Sequence, residues 1–181
     1  MKYTKKTNFF PGLAVMLVGL LIFASICCAG VDDKLYADAN SNAKNGAIEY
    51  AFMNFHSILA YSAASQYYKE ALFACGEYYY LAGAYTDAEE MFIKFIQQDS
   101  DSEAFLFALA YLFKISRQDR DSRFSDELKK QIIESHQLSL LFSDFKENKY
   151  LSPLNKKYKA LYFIDRVEFY IDGKIFEKIE F

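Results

Sequence analysis

The chain has no tryptophan, two histidines, two prolines, three cysteines and no extended cluster of lysine or arginine. Each shortage removes a class of function. His56 and His136 are far apart, and neither belongs to a pair with metal-ligand spacing, so both are expected to be ordinary surface or core residues. If Cys27 and Cys28 leave with the N-terminus, Cys75 is the one remaining thiol and no internal disulfide can form. Set in an aromatic helical stretch, Cys75 is expected to be buried and structural. Without clustered cations, the chain cannot release the counterions that drive binding to a phosphate backbone, so nucleic acid is not expected as a partner. Glycine-rich phosphate loops, nucleophile elbows and paired metal motifs are missing as well. Asp99, Asp101 and Glu103 lack the glycine turn and the distal glutamate of a calcium loop. Glu89 and Glu90 are adjacent and would point apart on a helix, which makes a poor acid/base pair. No catalytic, cofactor-binding or metal-binding residue is therefore expected.

What is present begins with an export signature. Lys2, Lys5 and Lys6 precede an uncharged apolar run over residues 12–26, and Cys27-Cys28-Ala29 supplies small residues beyond it. Basic residues, then an apolar run, then small residues is the order of a secretory signal, with processing expected between Ala29 and Gly30. Two other fates remain open. Uncleaved, the run approaches the ~20 residues that span a bilayer. Acylation at Cys27 or Cys28 would give a lipid anchor, although Cys28 is preceded by Cys27 and, three back, by Ser25, a poor match to the bacterial pattern. All three fates place the body outside the cytoplasm, in a bacterial periplasm or envelope. Beyond Ala29, 18 of the 21 basic residues face all 24 acidic ones, and the excess acid solvates helix surfaces.

The rest divides into a polar spacer at 30–45, a helical domain at 46–145 and a C-terminal segment at 150–181. Residues 30–45 carry no clear periodicity and read as a linker. Between Gly46 and Gly83 there is no proline, and Ala51, Phe52, Phe55, Ile58 and Leu59 recur at helical spacing, with a bend allowed around Ser62 to Ser65. Residues 69–102 are the most informative. Leu72, Gly76, Tyr79, Gly83, Tyr85, Ala88 and Phe92 fall at the positions of one 34-residue unit, and the stretch resembles the tetratricopeptide repeat family. Gly76 and Ala88 are small where two antiparallel helices would meet, and Gly83 ends the first of them. Thr86 with Glu89, and Ser100 with Glu103, read as capping boxes opening the next two helices. The pattern departs from the family at Phe95, where a small residue is usual, and at Ser100, where proline is usual. Residues 103–116 read as a further first helix; the helix after it is expected to resume only at Asp126, beyond a long loop over 117–126.

After Pro153 the periodicity changes. Val167, Phe169 and Ile171 alternate with polar or amphipathic residues, then Asp172-Gly173 precedes a second alternating run, which predicts a β-hairpin. A lone hairpin is marginal in water, so it must lie on the helices, pair with another chain or belong to a larger sheet. The fold expected is mainly α, tetratricopeptide-like antiparallel hairpins with a small C-terminal β-hairpin. The resemblance implies a protein-binding module of the envelope, whose partner is another envelope protein or a second copy. It would present Phe73, Glu77 and Tyr80 on one helix and Phe107, Tyr111 and Lys114 on the next. The family's clamp for peptide carboxylates needs Lys and Asn there, so an apolar or helical ligand is expected instead. Two other readings are a small-molecule or enzymatic cavity between helices and hairpin, and a structural subunit that folds with its partner.

Overall fold

A computed structural model describes residues 30–61, 63–100, 102–118, 122–142 and 147–181, the side chains of 136 and 138–142 excepted. Ala29 and the lipidation candidates Cys27 and Cys28 lie outside the described residues, and Gly30, the first described residue, is helical. Six helices precede a four-stranded antiparallel sheet among the described residues: α1 (30–44), α2 (Ile48–Tyr61), α3 (Tyr68–Leu81), α4 (Tyr85–Gln98), α5 (Phe105–Gln118) and α6 (Ser122–Phe142), then β1 (Glu147–Leu151), β2 (Lys157–Tyr162), β3 (Arg166–Ile171) and β4 (Lys174–Glu180). Consecutive helices pack antiparallel, as in a helical-repeat fold. None of the described helices is long and apolar enough to cross a membrane.

The stretch expected to be a polar spacer is helix α1. Its inward stripe is Asp32, Leu35, Tyr36, Ala39 and Ala43, a helical repeat that two alanines and an aspartate make faint in the sequence. Ala39 and Ala43 let α1 approach Ala51 and Phe55 of α2 closely, while Tyr36 stacks on Tyr67 at 3.8 Å and meets Phe55 edge-on at 6.1 Å. The Tyr67 hydroxyl donates to Asp33 at 2.9 Å and fixes the start of α1 against the α2–α3 connection.

Helices α3 and α5 are central. Every residue from Ala71 to Glu77 is buried, as is every residue from Leu106 to Phe113, because each helix has neighbours on both sides. Of the tetratricopeptide-like positions, Gly76 sits under the Phe92 ring, where an added Cβ would lie 3.0 Å from ring carbons, and Ala88 is fully buried beside it. Gly83 (φ +78°) ends α3 with amide bonds from Ala84 to the Tyr79 carbonyl and from Gly83 to that of Tyr80, a Schellman closure. The capping boxes do not form as expected. Helix α4 starts at Tyr85, after Ala84 and with no side-chain cap, so Thr86 already lies in the first turn. Helix α5 starts at Phe105, too far from Ser100 for Glu103 to complete a box. Helix α6 opens at Ser122, inside the stretch expected to be a loop.

The hairpin is the second half of a sheet ordered β1-β2-β3-β4. Asp172 (φ 49°) and Gly173 (φ 76°) make the left-handed two-residue turn that the Asp-Gly pair predicts. Tyr158, Ala160 and Tyr162 of β2, Val167 and Phe169 of β3 and Ile179 of β4 point inward onto the helices. The opposite face is charged and paired within itself, with Arg166 on Glu168 at 2.8 Å, Lys178 on Glu180 at 2.6 Å and Lys149 on Glu147. The β1–β2 turn sends Leu154 into the apolar cluster of α1, α2 and α3, so the sheet is anchored in both halves of the core.

Candidate functional site

The repeat geometry brings the six residues expected to bind a partner onto one face of α3 and α5, and the chain's own sheet covers that face. Phe73, Glu77, Phe107 and Tyr111 are buried, and Tyr80 and Lys114 are half-buried at its rim. Phe73 meets Tyr150 at 5.1 Å and Tyr158 at 5.8 Å, both edge-on. Phe107 packs against Tyr158 at 5.1 Å and Phe169 at 6.1 Å. Tyr80 and Tyr111 lie against Phe176 at 5.7 and 4.7 Å. Lys114 bonds the Phe176 carbonyl, sits 4.5 Å from the ring centroid and pairs with Glu177 at 3.4 Å; Arg117 joins the same carboxylate at 3.1 Å. The aromatic stripes are therefore an internal surface, and their occupant in this structure is a β-sheet in cis. That corrects their placement on an open face: a stripe at helical spacing records which residues share a side, not whether that side meets solvent.

At the centre of this interface is a polar node. Glu77 is 0% exposed, and neither of its carboxylate oxygens has a hydrogen-bond partner. Around it are the hydroxyls of Ser152 and Tyr158, whose influence favours the charged form, yet burial prevails and pushes the Glu77 carboxyl up to about 7. Tyr158 and Tyr111 share a buried hydroxyl–hydroxyl bond of 2.7 Å, and burial holds both phenols well above their ordinary range. Ser152, buried in the β1–β2 turn, accepts the Lys156 amide at 3.1 Å. Tyr150, Ser152, Tyr158, Phe176 and Glu177 were missed in the sequence. The alternation of Tyr158, Ala160 and Tyr162 is the signal that points to β2.

No protein-family model matches the chain, and no curated protein matches it. No group of three or more His, Cys, Asp and Glu among the described residues is placed to hold a metal ion. Cys75 is fully buried on the α1–α2 side of α3, and desolvation raises its thiol to about 12, far from a reactive thiolate. Asp99 is paired with Lys69 at 3.2 Å, and His56 lies on the exposed side of α2.

A second surface lies on the outer side of the first hairpin. Tyr50 and Met53 are 66% and 60% exposed, and with Tyr61, 85% exposed, they follow helical spacing along α2. Tyr50 and Met53, with Asn54, line a groove of about 330 Å³ together with Asp38, Ser41 and Asn42 of α1. A shallower groove of about 410 Å³ lies between α4 and α6, lined by Glu89, Ile93, Arg123, Phe124 and Glu127.

Proposed function

We propose that the protein is a tetratricopeptide-like binding module of the cell envelope, held outside the cytoplasm by its N-terminal segment, and that it captures a helical segment of a partner protein along α1 and α2. The observation that carries this reading is the exposed Tyr50–Met53 stripe beside the groove of α1. Two large apolar residues side by side in water, flanked by a polar wall, have the composition of an interface: tyrosine and methionine supply area, and Asp38, Ser41 and Asn42 supply hydrogen-bonding groups at the rim. Helical repeats bury apolar faces on their neighbours, and the outer side of the first hairpin is where a further helix would stack.

The test is site-specific photo-crosslinking in the full-length protein in its native envelope. A photoreactive residue at position 50 or 53 is expected to trap one and the same protein, and one at the exposed Lys130 of α6 is not. Tyr50→Ala with Met53→Ala should reduce capture about tenfold or more while the circular dichroism stays unchanged, as expected when central apolar contacts of an interface are removed. Equal trapping from all three positions, or none from 50 and 53, would remove the reading. Trapping of the chain's own copy would identify the partner as self.

A further inference from the structure

The interface between sheet and helices contains a titratable group that neither the fold nor the partner-binding reading requires. Glu77 stands mid-helix in α3, fully buried, with both oxygens unpartnered, where a leucine would satisfy packing. A buried polar group left in such a position is costly, and an ionised one far more so. We propose that Glu77 is a proton-operated latch: protonated, it lets the β1–β2 end of the sheet seat on α3 and α5, and once ionised it drives that end away from them.

Burial is what makes the charge of Glu77 poorly tolerated there, and it outweighs the Ser152 and Tyr158 hydroxyls and Lys156, which favour the carboxylate. From α5 it is approached by Tyr111, from β1 by Tyr150, from the β1–β2 turn by Ser152 and Lys156, from β2 by Tyr158, and from the β3–β4 turn by Asp172. Lys156 attracts a negative Glu77, but it is half-exposed and shared with water, while Asp172 opposes it. The two phenols spend one of their protons on each other at 2.7 Å. The Tyr158 ring beside the carboxyl packs in turn against Phe73 at 5.8 Å and Phe107 at 5.1 Å. Water reaches Glu77 only if the sheet lifts, since Ser152 and Tyr158 both belong to the sheet side.

Lifting is expected at that end because β1, at one edge of the sheet, pairs only with β2 among the described strands. The β4 end has a separate fastening in Lys114 and Arg117 on Glu177, which does not involve Glu77. The pH response follows by linkage. With the seated carboxyl titrating near 7 and the lifted one near its ordinary value of 4.5, the lifted population rises from about pH 5 to pH 7 by ~40-fold and levels off above.

Hydrogen exchange of the full-length protein across this range, corrected for the intrinsic pH dependence of exchange, tests the latch. Amides of β1 and β2 should open tens of times more often at about pH 7 than at pH 5, while those of α3 and α5 hold and Cys75, on the far side of α3, stays unreactive to thiol reagents. Glu77→Gln should flatten the profile. A flat profile in the wild type, the same slope in E77Q, or helices opening together with the sheet would overturn the proposal. Should E77Q fail to fold, the wild-type Glu77 carboxyl followed by NMR decides alone: a midpoint near 7 supports the latch, and one near 4.5 overturns it.

Discussion

Single positions control this core because it is aromatic and close-packed. Gly76 is the clearest case, since the Phe92 ring lies against its Cα and is itself held by Phe73 at 5.5 Å and stacked on Tyr111 at 4.6 Å. Gly76→Ala gives a contact that a trapped ring cannot evade, so despite the better helix propensity of alanine it should destabilise by about 1–3 kcal/mol. Adding Phe92→Leu should recover part of that loss in a thermal melt, whereas Phe92→Leu alone should only destabilise. Tyr111→Ala is expected to cost about 3–5 kcal/mol by opening a cavity and orphaning the Tyr158 hydroxyl. For Glu77 the sign is fixed by the direction of its shift. A carboxyl whose folded value is raised from 4.5 to about 7 binds more protons folded than unfolded, so stability is greatest below about pH 4.5 and declines until about pH 7. The decline is of the order of 3 kcal/mol, measurable as a falling urea midpoint that E77Q does not show.

At the level of elements, α1 shows how a helix is made by its neighbours. Its sequence is polar, and what holds it is a stripe with Ala39 and Ala43 at its centre and Tyr36 stacked on Tyr67. Ala39→Glu places a charge where the side chain has 0% exposure, and should release α1 alone. Exchange would then rise across 30–44, while α5 and α6, which belong to the other half of the core, keep their protection. Helix α3 is the opposite case. Buried from Ala71 to Glu77 without a break, it shows hardly any preferred apolar side, and its place between two clusters explains why periodicity there says so little. The hairpin of β3 and β4 was legible because its turn is local chemistry: Asp172 and Gly173 adopt positive φ, and the strands on either side alternate. The first two strands were less so. Their turn, from Ser152 to Lys156, is longer and carries positive φ at Asn155, a residue less diagnostic than glycine.

For the whole molecule, the sheet completes the helical layer. It covers the aromatic side of α3 and α5 and sends Leu154 to the far side of α3, adding to the bridge that Leu59, Tyr79 and Met91 make between the two clusters. A chain ending after Phe142 would leave Phe73, Phe107 and Tyr111 in water; it should aggregate or lose its cooperative melt, as expected for an apolar area of that size. The ion pairs at the rim contribute little by comparison, since Lys114 and Arg117 are partly exposed.

Sequence alone determined what depends on near neighbours: helical and strand periods, the Gly83 stop, the Asp172-Gly173 turn, the small residues at Gly76 and Ala88, and the grouping of Phe73, Glu77, Phe107 and Tyr111 on common helix sides. Only the tertiary structure decided what those sides face. Periodicity is blind to what lies opposite a stripe, so an aromatic row reads alike whether it meets solvent, a partner or a sheet folded back from the same chain, and here the sheet occupies it. The reverse holds on α2, where the packing leaves Tyr50 and Met53 in water although residues of those types are as much at home in a core.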